Sequence, residues 1–277
     1  MEPNRRVDQP GPTLEPRVLA VACDAREAAF ALRPGLSLLD AINTQLDGQD
    51  AVLHLHGGGL QLAYVIPALS GTPEHAAFYS DILRPAGETI VEAARVTFGR
   101  RAGAPWLHGH GFWRLSDGTR HGGHVIPDET IVTRPVQVQA WILDGAGFEA
   151  EPDPETGFTL FGPVARGSGP GKGRCLAVRL RPNQDICEVL EQLCGGRPAT
   201  VRGGVASIIG VVFDGGSGTD NFATEMFIRH GRIGQAGCSL DVALVDYTGA
   251  LWEGTLTRGA NPVLMTAELL LELDARA

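Results

Sequence analysis

Aromatic residues are scarce in this 277-residue sequence, at 6%, so its core must be built mainly from Val, Leu, Ile and Ala. Positive charge is also short. Lys and Arg number 23 against 32 Asp and Glu, a net charge of −9, with a pI of about 5.4. That balance opposes a general nucleic-acid binder, because each phosphate contact needs a cation. No apolar run approaches the roughly 18 residues of a membrane span; the longest are pieces such as 208–213. Residues 1–11 are polar with Pro and Arg, unlike a secretory signal. Cys23, Cys175, Cys187, Cys194 and Cys238 are odd in number and never spaced as CxxC, which fits reduced thiols and a cytoplasmic location. No serine lies in GxSxG. The glycines 57–59 precede no Lys-Ser/Thr, and residues 166–172 lack the strand-loop-helix setting of a nucleotide loop. These absences exclude secreted, membrane and disordered classes.

Apolar residues make up 43%, charged residues 20%, and glycines number 37. This is a foldable chain rich in strands and turns, long enough for about two domains. Its two flanks resemble each other. Leu32-Arg33-Pro34 matches Leu180-Arg181-Pro182, and each turn precedes an amphipathic segment opened by an N-cap residue, Ser37 or Asp185. The spacing predicts helices over 38–46 and 186–194. Asp117-Gly118 matches Thr248-Gly249, so the second copy is shorter, the loss falling in 70–87. The pattern reads as a tandem duplication. Alternating or β-branched stretches predict strands at 51–55, 60–66, 96–98, 107–115 and 136–143, then at 205–213, 226–228, 240–245 and 263–271. The expected layout is a disordered tail over 1–16, a domain over 17–145, a Gly/Pro-rich linker over 146–174 and a second domain over 175–277.

The stretch with the most chemistry is 107–124, Leu-His-Gly-His-Gly-Phe-Trp-Arg-Leu-Ser-Asp-Gly-Thr-Arg-His-Gly-Gly-His. On a strand, His108 and His110 share a face with Cα atoms about 6.5–7 Å apart, close enough to converge on one ion. Asp117-Gly118 is a hairpin signal, and the return strand brings back His121 and His124. A two-residue turn would put His124 on the wrong face. One extra residue, in a three-residue loop or a bulge at Gly122-Gly123, would put it opposite His110 or Phe112 and turn His121 away. The candidate metal ligands are therefore His108, His110 and His124, with a fourth position open to water, a carboxylate or a substrate. The competing reading is three hydrogen-bonded histidines in a cleft or interface.

His-Gly-His110, Asp117-Gly118, Gly-Gly-His124 and the run Thr133 to Val138 resemble the plants-and-prokaryotes-conserved domain over 17–145, and less closely over 176–273. The resemblance implies an α/β (α+β) fold in which each of two tandem domains has a curved mixed sheet and a flanking helix. It also implies a homotrimer. That fold is similar to acetolactate decarboxylase, where an analogous histidine trio holds zinc, so the likeness implies Zn2+ here. The decarboxylase activity does not carry over, because its catalytic Glu and Arg have no located counterpart.

In the second copy the trio becomes Ser239, Asp241 and Thr255, so that copy is expected to be metal-free and structural. Its Glu225 matches a family acidic position and is not assigned a catalytic role. His54-Leu-His56 also has the ligand spacing; surface-strand histidines and a second ligand set both remain open. Plant members carry an Arg-Gly-Arg minor-groove hook that is missing here. Two functions follow. The first is a metal-dependent enzyme or binding protein for an unknown small molecule. The second is a non-enzymatic oligomeric or DNA-associated module.

Overall fold

The computed structural model describes residues 5–70, 72–167 and 173–275. The first half of the chain runs β1 (Val18–Leu32), α1 (Leu38–Leu46), β2 (Ala51–Gln61), β3 (Tyr64–Val65), β4 (Pro67–Leu69), β5 (Ala77–Tyr79), β6 (Thr89–Arg101), β7 (Ala104–Arg114), β8 (Arg120–Val125), β9 (Ile131–Arg134) and β10 (Val136–Asp144). A hairpin follows, β11 (Ala146–Pro152) and β12 (Thr159–Ala165). The second half runs β13 (Cys175–Leu180), α2 (Ile186–Cys194), β14 (Ala199–Val212), β15 (Gly218–Gly234), β16 (Gly237–Asp246), β17 (Leu251–Thr255) and β18 (Val263–Leu273).

Both helices form where apolar spacing and caps predict. Leu38, Ala41, Ile42 and Leu46 bury one face of α1, and the Asp40 amide donates to the Ser37 hydroxyl at 3.0 Å. Asp185 caps α2 the same way, accepting from the Glu188 amide at 3.0 Å. Gly195 ends α2 in the left-handed conformation.

All the strands but β4 and β5 join into one 16-stranded sheet, and β1 pairs antiparallel with β13 at its centre. Outward from β1 the order is β10, β2, β6, β7, β8. Outward from β13 it is β18, β14, β15, β16, β17. The two halves therefore run in the same order from a shared middle. The sheet curves until β14 meets β6, β15 meets β7 and β16 meets β8. Phe112 and Phe227 meet edge-to-face in that contact, with centroids 5.3 Å apart.

The structure revises several expectations. The sheet is antiparallel apart from a short parallel pairing of β11 with β6, and two nine-residue helices leave the fold dominated by strands rather than evenly α/β. The segment expected as a linker carries β11 and β12, because Phe148 and Phe161 are buried there and their strands pair along the hairpin. Residues 168–172 of that segment lie outside the described residues. Residues 5–16, expected to be disordered, lie along the surface and are tethered to it: Val7 exchanges two 2.9 Å hydrogen bonds with the Asn183 amide group, and the Gly11 amide donates to Glu155 O at 2.9 Å. Residues 1–4 of the tail lie outside the described residues. The strand expected over 263–271 is present as Val263–Leu273, with β13 and β14 flanking it on both sides. The extra segment of the first half, 70–87, holds β5, which pairs with β4 as a separate two-stranded sheet. All five cysteines are free, and no helix among the described residues is long and apolar enough to cross a membrane.

Candidate metal centre

The β7–β8 hairpin settles the register that the sequence left open. Leu115 donates to Thr119 O at 2.9 Å, closing a three-residue loop of Ser116, Asp117 and Gly118. Gly118 takes φ +86° there, a value that favours glycine. His124 then falls directly opposite His110, and the ladder continues through Gly122 and Gly123 with no bulge. His121 pairs with Trp113 on the other face, and its Nδ1 meets the Tyr64 hydroxyl at 3.0 Å.

His108, His110 and His124 converge with Glu225, offering one ligand atom each, all within 4.8 Å of one another. Glu225 comes from β15, so the group is assembled across the two halves. Its carboxylate contacts His110 Nε2. The Nε2 atoms of His108 and His110 are 2.9 Å apart, and His124 Nδ1 is 3.3 Å from His110 Nε2.

The outer ring nitrogens are engaged as well. His110 Nδ1 lies 2.8 Å from Met226 O. A carbonyl can only accept, so His110 carries its proton on Nδ1. His108 Nδ1 lies 2.8 Å from a Glu268 oxygen. Glu268 is fully buried, and its other oxygen has no hydrogen-bond partner. The imidazoles of His108 and His110 are thus each oriented by an acceptor behind the ring, as metal-ligating histidines usually are. For neutral rings, this places two bare nitrogen lone pairs face to face beside a carboxylate.

The electrostatics agree with that crowding. Burial pulls His108 toward its neutral form, but the charge and hydrogen bond of Glu268, with Glu225 behind, more than offset it and raise its pKa. Burial holds His124 well below the usual imidazole range, reinforced by His108 and His110. Tyr79 lies with its hydroxyl 3.5 Å from His124 Nδ1. Burial, then the charges of Glu225 and Glu268, push its phenol well above the ordinary value.

A cavity of about 180 Å³ opens beside the group. Its lining includes Tyr79, His108, His124, Glu225 and Glu268. Thr266, 2% exposed, also lines it with an unpartnered hydroxyl.

His54 and His56 do not join this group, nor any other metal-capable cluster among the described residues. His54 packs edge-on against Trp141, with centroids 4.6 Å apart. Burial, then Arg95, depress its pKa to about 3. His56 is exposed.

Glu268 had no place in the sequence reading, and Glu225 was placed in the second copy only. Their signal was local: Glu225 abuts the apolar run Met226-Phe227-Ile228 and Glu268 lies between Ala267 and Leu269, and a buried charge requires a partner.

No family model matches the chain, and no curated protein matches it. Solved structures align with about half of it. A plant- and prokaryote-conserved protein of Pyrococcus horikoshii aligns at 18% identity over 52% of this chain and 96% of its own, with a TM-score of 0.41. A metal-containing protein from Archaeoglobus fulgidus aligns at 20% identity over 49% and 92%, with a TM-score of 0.40. A candidate DNA-binding protein from Bacteroides thetaiotaomicron aligns at 11% identity over 51% and 97%, with a TM-score of 0.38.

Proposed function

We propose that the chain binds one divalent metal ion, zinc by preference, through His108, His110, His124 and Glu225, and that it acts on or carries a small molecule in the adjoining cavity. One observation carries this reading. The Nε2 atoms of His108 and His110 lie 2.9 Å apart while the Nδ1 of each meets an acceptor. Two lone pairs at that distance repel unless a cation or proton lies between them. The added carboxylate and third imidazole make a metal ion the better match. Three nitrogens and one carboxylate oxygen suit zinc, which favours four-coordinate sites with such donors.

A bound ion would supply Lewis acidity to a carbonyl, carboxylate or water. The protein's own groups supply the rest. Glu268, a residue of the cavity lining, fixes His108 through one oxygen, and its other oxygen, unpartnered, can accept a proton. The Tyr79 hydroxyl, held protonated by burial, can donate one.

The matching strand order of the two halves supports descent from a tandem duplication. The DNA-associated alternative has less support. Acids outnumber bases, and arginines on the β8 side, Arg114 and Arg120, are already paired with Glu92 and Glu253.

The test is metal uptake. Protein dialysed against zinc and then freed of excess should retain it on elemental analysis. The variants His108→Ala and His110→Ala should not. Wild-type protein emerging metal-free would sink the proposal.

A further inference from the structure

We propose that the cavity takes a small organic monoanion, a carboxylate with a compact apolar body, and that Arg101 is the residue that selects its charge. The proposal rests on the metal reading above and adds the class of molecule bound beside the ion.

Trp106 and His108 are alternate residues of β7, so both face the cavity from one side of the strand. The Arg101 guanidinium lies over the Trp106 ring at 5.4 Å from its centroid and also lines the cavity. An exposed cation therefore lies over the ring that neighbours His108 on that face. Among the described residues it has no hydrogen bond and no ion pair. Its neighbour Arg100 donates to Gly48 O at 2.9 Å. Other arginines of the first half, such as Arg84, Arg114, Arg120 and Arg134, hold carboxylates.

Arg101 brings a single guanidinium without a partner among the described residues, which suits one carboxylate. Inside the wall, Thr266 is 2% exposed and its hydroxyl has no partner. A buried hydroxyl without a partner is costly, and an acceptor oxygen on a bound molecule would satisfy it. The remaining lining includes Phe158, Phe161 and Leu264, which suit an apolar body. The volume, about 180 Å³, limits its size, since a cavity of about 150 Å³ holds benzene.

The experiment compares butyrate with its near-isosteric neutral amide, butyramide, by calorimetry on the cobalt-loaded protein, with the visible spectrum reporting occupancy. Butyrate should bind at least about tenfold tighter. Arg101→Gln should erase that preference while the cobalt spectrum stays unchanged before butyrate is added. Arg100→Gln should preserve it. Equal binding of the two probes, binding of neither, or a preference surviving in Arg101→Gln would overturn the proposal. Failure of the metal reading is separately visible as failure to retain cobalt. In that event butyrate is titrated into the metal-free protein. An Arg101-dependent preference there would uphold the anion site without the metal, and its absence would remove both.

Discussion

His110 and Asp241 occupy the same place in the two halves of the sheet. His110 pairs with His124 across β7 and β8, and Asp241 pairs with Thr255 across β16 and β17. Asp241 is bonded to the Arg229 guanidinium at 2.5 Å, and Arg229 also reaches Glu253 at 3.2 Å. The second half thus carries its own tethered cation beside the position that, in the first half, gathers unneutralised donors.

From this asymmetry we expect about one metal ion per chain, not two. Elemental analysis of the loaded protein checks it. His124→Ala should bring the value near zero, and His54→Ala should leave it unchanged. Two ions per chain would contradict the distinction between the halves.

Glu268→Gln should weaken metal affinity by about 10- to 100-fold, the usual cost of losing a carboxylate that orients a ligating histidine. Competition against a chromophoric chelator measures it. An unchanged affinity would remove Glu268 from the site's support.

His54 predicts a pH dependence of stability. Its folded-state pKa is depressed to about 3, whereas an unfolded histidine titrates near about 6.5. Between those values the unfolded chain takes up a proton that the folded chain refuses, so stability is full above about 6.5 and falls as pH drops toward 3. Urea unfolding at pH 7.5 and 5, with chelator present, should show a larger loss for wild type than for His54→Gln. Equal losses would mean that His54 titrates normally in the fold.

Two glycines should separate backbone conformation from close packing. A Cβ at Gly118 meets nothing within 4 Å but would sit at φ +86°, so Gly118→Ala should cost about 1–2 kcal/mol. A Cβ at Gly99 would come within 2.2 Å of Phe148 O and force β11 from β6. Gly99→Ala should cost more, about 1–3 kcal/mol for the displaced packing alone. Chemical denaturation gives both values, and a neutral Gly99→Ala would contradict the tight β6–β11 approach.

The resemblance to trimeric domains leads us to propose a homotrimer. Leu69, Phe78, Leu83 and Ile90, all 37% or more exposed, supply apolar surface that a partner could cover. Analytical ultracentrifugation should give a single species of three chains. A stable monomer or dimer would contradict it.

Much of the local structure was legible in the sequence. Ser37 and Asp185 marked both helix starts, because a side-chain oxygen before an apolar stripe meets a free amide wherever the chain goes next. The two-residue period put His108 and His110 on one face, because strand geometry alone sets it. His124 needed one further fact, the length of the turn, which Asp117-Gly118 narrowed to a few options and the three-residue loop decided. Tertiary structure decided what no local pattern carries. Phe148 and Phe161 turned a Gly/Pro-rich stretch into a hairpin because their burial outweighed its poor strand propensity. The pairing of β1 with β13 and the curvature of the sheet brought Glu225 against His110 and Glu268 against His108. Those contacts span more than a hundred residues, and only the folded sheet sets the distances between its strands.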